Sequence, residues 1–431
     1  MEDNDEEQAM SKLTKRANKI QIDDRDVNEW EQVQSAFFEH YYPHTTSRFS
    51  KESKSTTSGS GNNPPPPTLF SDTFCDGTTV LCGFAGGTCM ALDINRLSSD
   101  EVVLNAQTSW KHSGLTCLRC SRVSPFIFFS SSTDGTIRLW DIREQVRTPS
   151  QKFALDDSTS TNKSTKTSEK THKKPILQFD VSSNDQLVCG GTELVQEDSY
   201  LLFWDVRSGK LLGGYCESHS DDVTAVRFHP HQNHCLASGS TDGLLNTFNL
   251  LETTEDDALQ YSFNTNSSVD SIHWASSATS DSLVTCVTHT NEVQVWDAIT
   301  GDRIAEINRK LLAETMMRSN PEAVYISSCH SLDTKGVGLV TCSLSGGNTR
   351  LIELNNDMKP VPRGLFMDHN AVVQTAEFLP KVRQWITFDE DGIIKLWQLQ
   401  APSSTEKKQN RSKNVSSGEK RIKRFKPYNL G

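Results

Sequence analysis

Histidine, serine and aspartate recur in a fixed order along the chain, and no other pattern in it is as suggestive of chemistry. The copies are His112, Ser130, Asp134 and Trp140; His219, Ser238 and Asp242; and His369, Thr387, Asp391 and Trp397. Present once, such a set could supply a nucleophilic hydroxyl, an imidazole base and a carboxylate that orients the base. The same groups could instead form a buried structural network.

The recurrence of the set favours the structural interpretation. In all three copies the hydroxyl lies four residues before the aspartate of an Asp-Gly turn, so each copy has the same place in a repeated hairpin. Groups at these positions would sit inside a sheet, where no nucleophile faces a cleft. We therefore expect no catalytic residue and no enzymatic activity.

Two other clusters contain residue types that bind metals. Cys117 and Cys120 have a spacing used in zinc sites, but they fall in a predicted strand, where residues three apart point to opposite faces. The histidines and the cysteine at residues 229–235 are typical of a solvated turn. The sequence also lacks a Gly-rich loop that ends in Gly-Lys-Ser/Thr. We expect no metal site and no bound cofactor.

Seven segments rich in β-branched and apolar residues each end in a Trp-Asp pair or a diverged form of one, which predicts a strand at each ending. The recurrent histidine, hydroxyl, aspartate and tryptophan residues would lie on these strands and their turns. The seven endings are Leu92-Asp93-Ile94, Trp140-Asp141-Ile142, Trp204-Asp205-Val206, Phe248-Asn249-Leu250, Trp296-Asp297-Ala298, Ile352-Glu353-Leu354 and Trp397-Gln398-Leu399. Similarity at a period of about 40–45 residues predicts four-stranded blades, and longer spacings indicate loop insertions. Seven endings predict seven blades.

From about residue 66 to 400 this pattern resembles the WD-repeat family, for which the intact Trp-Asp pairs are a specific match. The resemblance implies an all-β fold, a seven-bladed WD-repeat β-propeller. It also implies that the recurrent set ties the loop, the turn and the strands of each blade together by hydrogen bonds. The segments at 192–199, 219–230 and 255–259 are similar to the WD repeat-containing protein 89 family. That narrower resemblance implies a relationship to this family, and it implies no particular activity.

The segments outside the repeats are predicted from composition and periodicity. Residues 1–65 form an N-terminal extension, in which a strand at 18–23 could pair with the last blade and close the ring. A helix is expected at 26–41, either packed on the propeller or binding a partner. Disordered segments are expected at 47–67 and at 156–174, because both are rich in small polar residues.

Charge is unevenly distributed along the chain. The net charge is −11, and residues 401–431 contain nine Lys or Arg and two Glu, so the remainder carries −11 − 7 = −18. An acidic body argues against broad nucleic-acid binding. Residues 401–431 are expected to form a disordered basic tail whose basic cluster is a nuclear import signal, with a solubilising or contact role as the alternative. The cluster comprises Lys420, Arg421, Lys423, Arg424 and Lys426.

Localisation is predicted from what the sequence lacks. The acidic N-terminus is followed by no apolar run, so we expect no secretory signal. No apolar stretch approaches the roughly 18 residues that cross a bilayer, so we expect no membrane contact. The 11 cysteines are scattered through predicted strands, as expected of reduced thiols. These features predict a location in the cytosol or the nucleus. The basic cluster of the tail favours the nucleus, with the cytoplasm as a further compartment.

The loops that enter the innermost strands of a propeller lie on one face with the turns between the second and third strands, and a rigid scaffold holds them. Because most charged residues there are acidic, we predict a non-catalytic interaction scaffold that binds a basic peptide or protein segment, as a monomer within larger complexes. The expected contact residues are Trp110, Lys111, Glu193, Asp221, Asp222, Thr241, Asn370 and Glu390. Trp110 is either the aromatic anchor of this interface or a packed residue at a strand end.

An alternative function rests on Arg143 and Arg207, which complete two Trp-Asp-x-Arg sequences. This signature resembles the one by which some WD-repeat proteins dock onto the adaptor of cullin-RING ubiquitin ligases. The resemblance implies a substrate receptor of such a ligase. The competing interpretation is that arginine is tolerated at an exposed strand end.

Overall fold

The computed structural model describes residues 39–51, 67–97, 101–104, 109–144, 148–155, 174–276, 280, 282–332, 336–344, 347–366 and 371–399. Several predicted features lie wholly or almost wholly outside these residues. They are the strand at 18–23, the disordered insertion at 156–174 except for its last residue, the basic tail at 401–431, and the site residues His369 and Asn370. Among the described residues, none forms a helix long and apolar enough to cross a membrane.

The described residues form 29 strands, numbered β1–β29 along the chain. The first strand and blades one to three comprise β1 (Glu39–Lys51), β2 (Thr68–Thr73), β3 (Thr79–Phe84), β4 (Thr88–Asp93), β5 (Glu101–Leu104), β6 (Trp110–Lys111), β7 (Leu115–Cys120), β8 (Ile127–Ser132), β9 (Thr136–Asp141), β10 (Gln151–Ala154), β11 (Ile176–Val181), β12 (Leu187–Thr192), β13 (Leu201–Asp205) and β14 (Leu211–Tyr215). Blades four and five comprise β15 (Val223–Phe228), β16 (Cys235–Ser240), β17 (Leu244–Asn249), β18 (Leu259–Asn264), β19 (Val269–Ala275), β20 (Leu283–Thr288), β21 (Val293–Asp297) and β22 (Arg303–Ile307). Blades six and seven comprise β23 (Val324–Leu332), β24 (Gly336–Ser343), β25 (Thr349–Leu354), β26 (Pro360–Phe366), β27 (Val373–Leu379), β28 (Gln384–Asp389) and β29 (Ile393–Leu399).

Short helices occur only in loops of the part described. Two are α-helical, α1 (Glu255–Ala258) and α2 (Arg309–Thr315), and two are 3-10 turns, Ile94–Arg96 and Pro321–Ala323. The side chains of Thr254 and Asn308 cap α1 and α2 by accepting a backbone N–H from the first turn.

The blades close into a ring, which confirms the predicted seven-bladed WD-repeat β-propeller. Blades one to five are separate four-stranded antiparallel sheets, and blades six and seven join through β1. The innermost strands contact one another in the order β2, β7, β11, β15, β19, β23 and β27, and β27 contacts β2 again. Because β1 pairs with β29, the third strand of blade seven has no open sheet edge at the seam.

The strand that closes the ring is β1, which corrects the expectation of a closing strand at 18–23. Residues 41–48 of β1 run antiparallel to β29, the third strand of blade seven. The ends of β1 also pair in parallel with β26 of blade six and with β5. This strand overlaps the predicted helix at residues 39–41 and the predicted linker at 47–51. Pro43 adjoins a β-bulge in this strand, where a residue without an N–H is tolerated.

Adjacent blades pack face to face through apolar side chains. Between blades two and three, Phe129 and Phe153 meet Phe179, Val188 and Trp204, and all five are buried. Truncation of such a residue to alanine costs about 3–5 kcal/mol for an aromatic side chain. Each inter-blade layer therefore contributes to the rigidity of the ring.

One hydrogen bond recurs in every blade and fixes one end of the propeller. The first residue of the turn between the second and third strands donates its N–H to the carbonyl of the residue that precedes the innermost strand. The donor–acceptor pairs are Ala85–Pro67, Thr133–Gly114, Glu193–Pro175, Thr241–Asp222, His289–Ser268, Leu344–Ala323 and Glu390–Val372, at 2.9–3.3 Å. We call this end the upper face and the opposite end the lower face.

Candidate functional site

The second blade brings together the first copy of the recurrent set. The Ser130 Oγ lies 2.7 Å from His112 Nδ1 and accepts a 2.8 Å hydrogen bond from the Trp140 indole N–H. The other ring nitrogen of His112 lies 3.6 Å from a carboxylate oxygen of Asp134. Thr136 joins the network, 3.2 Å from His112 Nε2 and donating to Asp134 at 2.6 Å. Burial lowers the pKa of His112 to about 4, so the imidazole is neutral at pH 7.

The fourth blade holds the second copy without a tryptophan. His219 Nε2 lies 2.7 Å from Ser238 Oγ, and its Nδ1 lies 3.2 Å from Asp242. Phe248 stands at the strand position that Trp140 has in blade two, and Asn246 donates to the Ser218 carbonyl at 2.6 Å. Burial is the largest single influence on Asp242 and raises its pKa, but the hydrogen bond and charge interaction with His219 and the N–H groups of Ser220 and Leu244 together outweigh burial and lower the carboxyl pKa.

The seventh blade shares the indole–hydroxyl bond. Trp397 donates to Thr387 Oγ1 at 2.8 Å, while His369 lies outside the described residues. Asp391 is exposed at its turn, and the buried carboxylate there is Asp389, which accepts the N–H groups of Asp391 and Ile393. Burial raises the pKa of Asp389 to about 6.

The geometry gives these sets no access to a substrate. Ser130, Ser238 and Thr387 are fully buried between strands, and their oxygens are engaged by the imidazole or indole of their own blade. Thr136 and Asn246 were not anticipated from the sequence. Both lie in the third strand of their blade, Thr136 two residues after Asp134 and Asn246 four residues after Asp242. No single residue type recurs at these positions, so the sequence pattern did not reveal them.

An acidic surface covers the upper ends of blades three and four. The insertion at residues 193–199 folds over the loop that enters blade four, because the Leu194 N–H donates to Asp222 at 2.7 Å and Ser199 Oγ donates to the His219 carbonyl. Lys174 closes the insertion from the other side, donating to the carbonyls of Val195 and Asp198. We call this surface the acidic rim. It comprises Glu193, Glu197, Asp198, Glu217, Asp221 and Asp222.

The remaining predicted contact residues are scattered around the upper face. Lys111 and Glu390 are exposed, and Thr241 is half-buried. Trp110 is only 4% exposed and packs edge-to-face on Phe128 with ring centroids 5.1 Å apart. The expectation that Trp110 anchors a partner is therefore corrected: its ring belongs to the core between blades one and two.

A charged cluster lies below the upper face, on the innermost strands. Arg119 and Asp180 form a buried ion pair with a 3.4 Å separation, and Asp72 accepts the Cys120 N–H across the boundary between blades one and two. Glu377 of blade seven accepts a 2.8 Å bond from Ser71 of blade one. Burial and the nearby Asp72 raise the pKa of Glu377 to about 8. The seam of the ring is therefore bridged by a carboxyl group that is largely protonated at pH 7.

The lower face carries the two Trp-Asp-x-Arg sequences. The Arg143 guanidinium pairs with Asp141 at 2.6 Å and lies 4.6 Å from the centroid of the Phe126 ring. Its side chain is nevertheless 60% exposed. Arg207 is also exposed, beyond the third strand of the neighbouring blade.

The two clusters of residue types that can bind metals have ordinary surroundings. Cys117 and Cys120 are buried in β7, and burial raises the pKa of both thiols. The ring nitrogen of His229 accepts N–H groups of its own turn, from His231 and Gln232. Among the residues that the structure describes, no group of three or more His, Cys, Asp or Glu side chains could hold a metal ion.

Comparison with known proteins identifies the repeats. The family model "WD domain, G-beta repeat" matches residues 105–141 and 209–249, so the chain carries WD40 repeats. The chain is 24% identical to the WD repeat-containing protein 89 homolog of Dictyostelium discoideum, over 70% of this chain and 77% of that protein. WD-repeat proteins generally act as scaffolds that bind other proteins.

Two further relatives match over shorter regions. WD repeat-containing protein GTS1 of Arabidopsis thaliana is 29% identical over 49% of this chain and 48% of its own length, so the match spans about half of that relative. Nucleoporin Nup43 of Homo sapiens is 29% identical over 33% of this chain and 31% of its own length.

Proposed function

We propose that this chain is a non-catalytic interaction scaffold whose upper face binds a basic peptide or protein segment at the acidic rim. The observation that carries the proposal is the accumulation of six carboxylates on two adjacent loops, residues 193–199 and 216–222, which contain no Lys or Arg. The hydrogen bond from Leu194 to Asp222 holds the two loops together. Loops held by a rigid scaffold are common sites of partner binding.

Electrostatics favour a basic partner at this place. Residues 1–400 carry a net charge of −11 − 7 = −18, so their field attracts cations from a distance. Attraction of this kind accelerates encounter more than it strengthens the final complex. Binding should therefore weaken steeply as salt rises.

A charge-reversal experiment tests the proposal. Proteins captured by the full chain would be identified by mass spectrometry and compared with those captured by Glu197→Lys/Asp221→Lys. The control is Asp302→Lys/Asp357→Lys, which makes the same charge change at exposed turns of the lower face. We expect the rim variant alone to lose partners that contain Lys/Arg-rich segments. An identical set of partners for all three proteins would refute a basic ligand at the rim.

A nuclear location is part of the proposal. It rests on the cluster from Lys420 to Lys426 and on the similarity to a protein whose name is Nucleoporin Nup43. A fluorescent fusion that lacks residues 401–431 should shift toward the cytoplasm. A nuclear signal that is unchanged by this truncation would rule out the tail as the import signal.

A second function, as substrate receptor of a cullin-RING ubiquitin ligase, is favoured by one observation. Asp141 and Phe126 hold the exposed Arg143 side chain in place on the lower face, one blade away from exposed Arg207. Pull-down of the ligase adaptor should succeed with the wild type and fail with Arg143→Ala/Arg207→Ala. Absence of the adaptor from both samples would end this alternative.

A further inference from the structure

Exposed apolar and basic side chains lie on the lower face, in the loops that join the first two strands of blades seven and two. Val382 is 37% exposed in the loop between β27 and β28. In the corresponding loop of blade two, Val123 is 64% exposed and Phe126 is 40% exposed. Exposed basic side chains adjoin these apolar residues in both loops. We call this surface the basic patch, and it comprises Arg122, Val123, Phe126, Lys381, Val382 and Arg383.

Neighbouring blades hold both loops of the basic patch in place. The Lys381 ammonium donates to the Cys75 carbonyl of blade one at 3.1 Å. Asp185 of blade three accepts the N–H groups of Arg122 and Val123 at 3.0 and 3.3 Å. The patch is therefore ordered before anything docks on it, so little entropy is lost there on docking.

Charge on the lower face is uneven. The carboxylate nearest to Lys381, on Asp76, is occupied within its own loop, where it accepts the N–H groups of Thr78 and Thr79. On the far side of the ring, blades five and six expose the carboxylates of Asp302 and Asp357. An anionic segment should therefore be attracted to the basic patch rather than to blades five and six.

The chain enters the propeller close to the basic patch. β1 is the outermost strand of blade seven, and its Tyr41 pairs with Leu399 at the lower end of β29. Three strand spacings, roughly 14 Å in all, separate β1 from β27, whose lower end leads into Lys381 and Val382. Residues 33–38 can span about 20 Å when extended. The residues before them can therefore reach the patch.

The sequence of the entering segment is complementary to the basic patch. Residues 23–31 contain five Asp or Glu and one Arg. Val27, Trp30 and Val33 are spaced for one face of a helix, so the same segment also has an apolar side. Anionic and apolar groups are the two kinds that the patch can receive.

We propose that residues 23–33 of this chain dock on the basic patch. Their apolar side covers the three exposed apolar side chains of the patch, and their carboxylates pair with its three basic side chains. Because only a few residues separate the segment from β1, its effective concentration at the patch is on the order of millimolar, and weak contacts keep it docked. The docked segment leaves the acidic rim on the opposite face accessible.

Photo-crosslinking within the full chain tests this proposal. A photoreactive p-benzoylphenylalanine would replace Trp30, and cross-linked peptides would be identified by mass spectrometry after irradiation at low protein concentration. We expect cross-links within one molecule to residues 121–126 or 380–383. Cross-links only to other parts of the propeller, cross-links only between two molecules, or no cross-link at all would overturn the proposal.

Charge reversal on the patch measures the contribution of its cations. Lys381→Glu/Arg383→Glu should lower the yield of the cross-link about threefold or more, because two attractions become repulsions. The matched control, Arg207→Glu/Lys210→Glu, makes the same charge change at exposed residues of blade three and should leave the yield unchanged. Equal yields for the wild type and both variants would overturn the pairing of charges at the patch.

The reciprocal change leaves the propeller sequence intact, so it serves if the patch variant does not fold. Glu29→Lys/Glu31→Lys should lower the yield by a similar factor. Combining it with Lys381→Glu/Arg383→Glu should restore the yield, because the pairs are then exchanged rather than broken. A segment variant that cross-links as well as the wild type would overturn the proposal.

Discussion

Replacing Ser130 by alanine should destabilise the protein more than the equivalent change, Ser238→Ala, although both serines are fully buried. The neutral His112 ring has one donor and one acceptor, so the contacts form a directed chain. The Trp140 N–H donates to Ser130, Ser130 donates to His112 Nδ1, and His112 Nε2 donates toward Thr136 and Asp134. Removal of the Ser130 hydroxyl interrupts this chain at two buried groups.

The expected magnitudes follow from the number of groups left unpaired. Ser130→Ala leaves the Trp140 donor and the His112 acceptor without a partner, and each buried unsatisfied group costs about 1–3 kcal/mol, so the total is about 2–6 kcal/mol. In blade four the position of the indole is taken by Phe248, and Ser238 bonds the imidazole of His219. Ser238→Ala should therefore cost about 1–3 kcal/mol.

Urea unfolding monitored by tryptophan fluorescence would measure the difference. The control is Ser262→Ala at an exposed position of β18, which should leave the free energy of unfolding within about 0.5 kcal/mol of the wild type. Equal losses for Ser130→Ala and Ser238→Ala, at an unchanged dependence on urea, would contradict the argument. That result would mean that the indole hydrogen bond adds nothing to the network.

Three further changes test other parts of the structure. Tyr41→Ala should lower the free energy of unfolding by about 3–5 kcal/mol in urea unfolding, because Tyr41 is buried and stacks on Phe366. The control, Tyr42→Ala at the exposed neighbour, should lower it by less than about 1 kcal/mol. Glu377→Gln should reduce the loss of stability between about pH 5 and 8. A carboxyl group whose folded pKa is raised to about 8 stabilises the fold fully below its unfolded pKa near 4.5 and loses this contribution as the pH rises through 8, which urea titrations at pH 5, 7 and 9 would detect. Lys174→Ala should speed limited proteolysis within residues 193–199 without a large change in global stability, because Lys174 bonds two carbonyls of that insertion. Unchanged cleavage would show that the bonds to Asp222 and to the His219 carbonyl hold the insertion without Lys174.

The parts of the fold that were predictable from sequence are those that local residues encode. Asp-Gly turns and Trp-Asp strand ends mark the second and third strands of a blade, and blades two and four have both strands where those marks predict them. The closing strand could not be chosen in this way. Residues 18–23 alternate polar and apolar side chains, whereas residues 39–51 were assigned to a helix and a linker. The choice depends on pairing with β29, which lies about 350 residues away in sequence.

The same limitation explains the error at Trp110. An aromatic residue next to a loop is equally consistent with a binding anchor and with a packed strand end. The ring of Phe128, which covers it, belongs to the following blade, and the sequence does not state which strands become neighbours.

Partner binding at the acidic rim should depend on salt through the rate of association. The recurrent bonds from the turns to the innermost strands order the upper loops before a partner arrives, so little conformational entropy remains to be lost there. Charges on the acidic rim act at a distance, and their reversal should lower the association rate and its dependence on salt. Stopped-flow measurements with a Lys/Arg-rich peptide would test this, and a rim variant that changes only the dissociation rate would show that its carboxylates are direct contacts rather than a steering field.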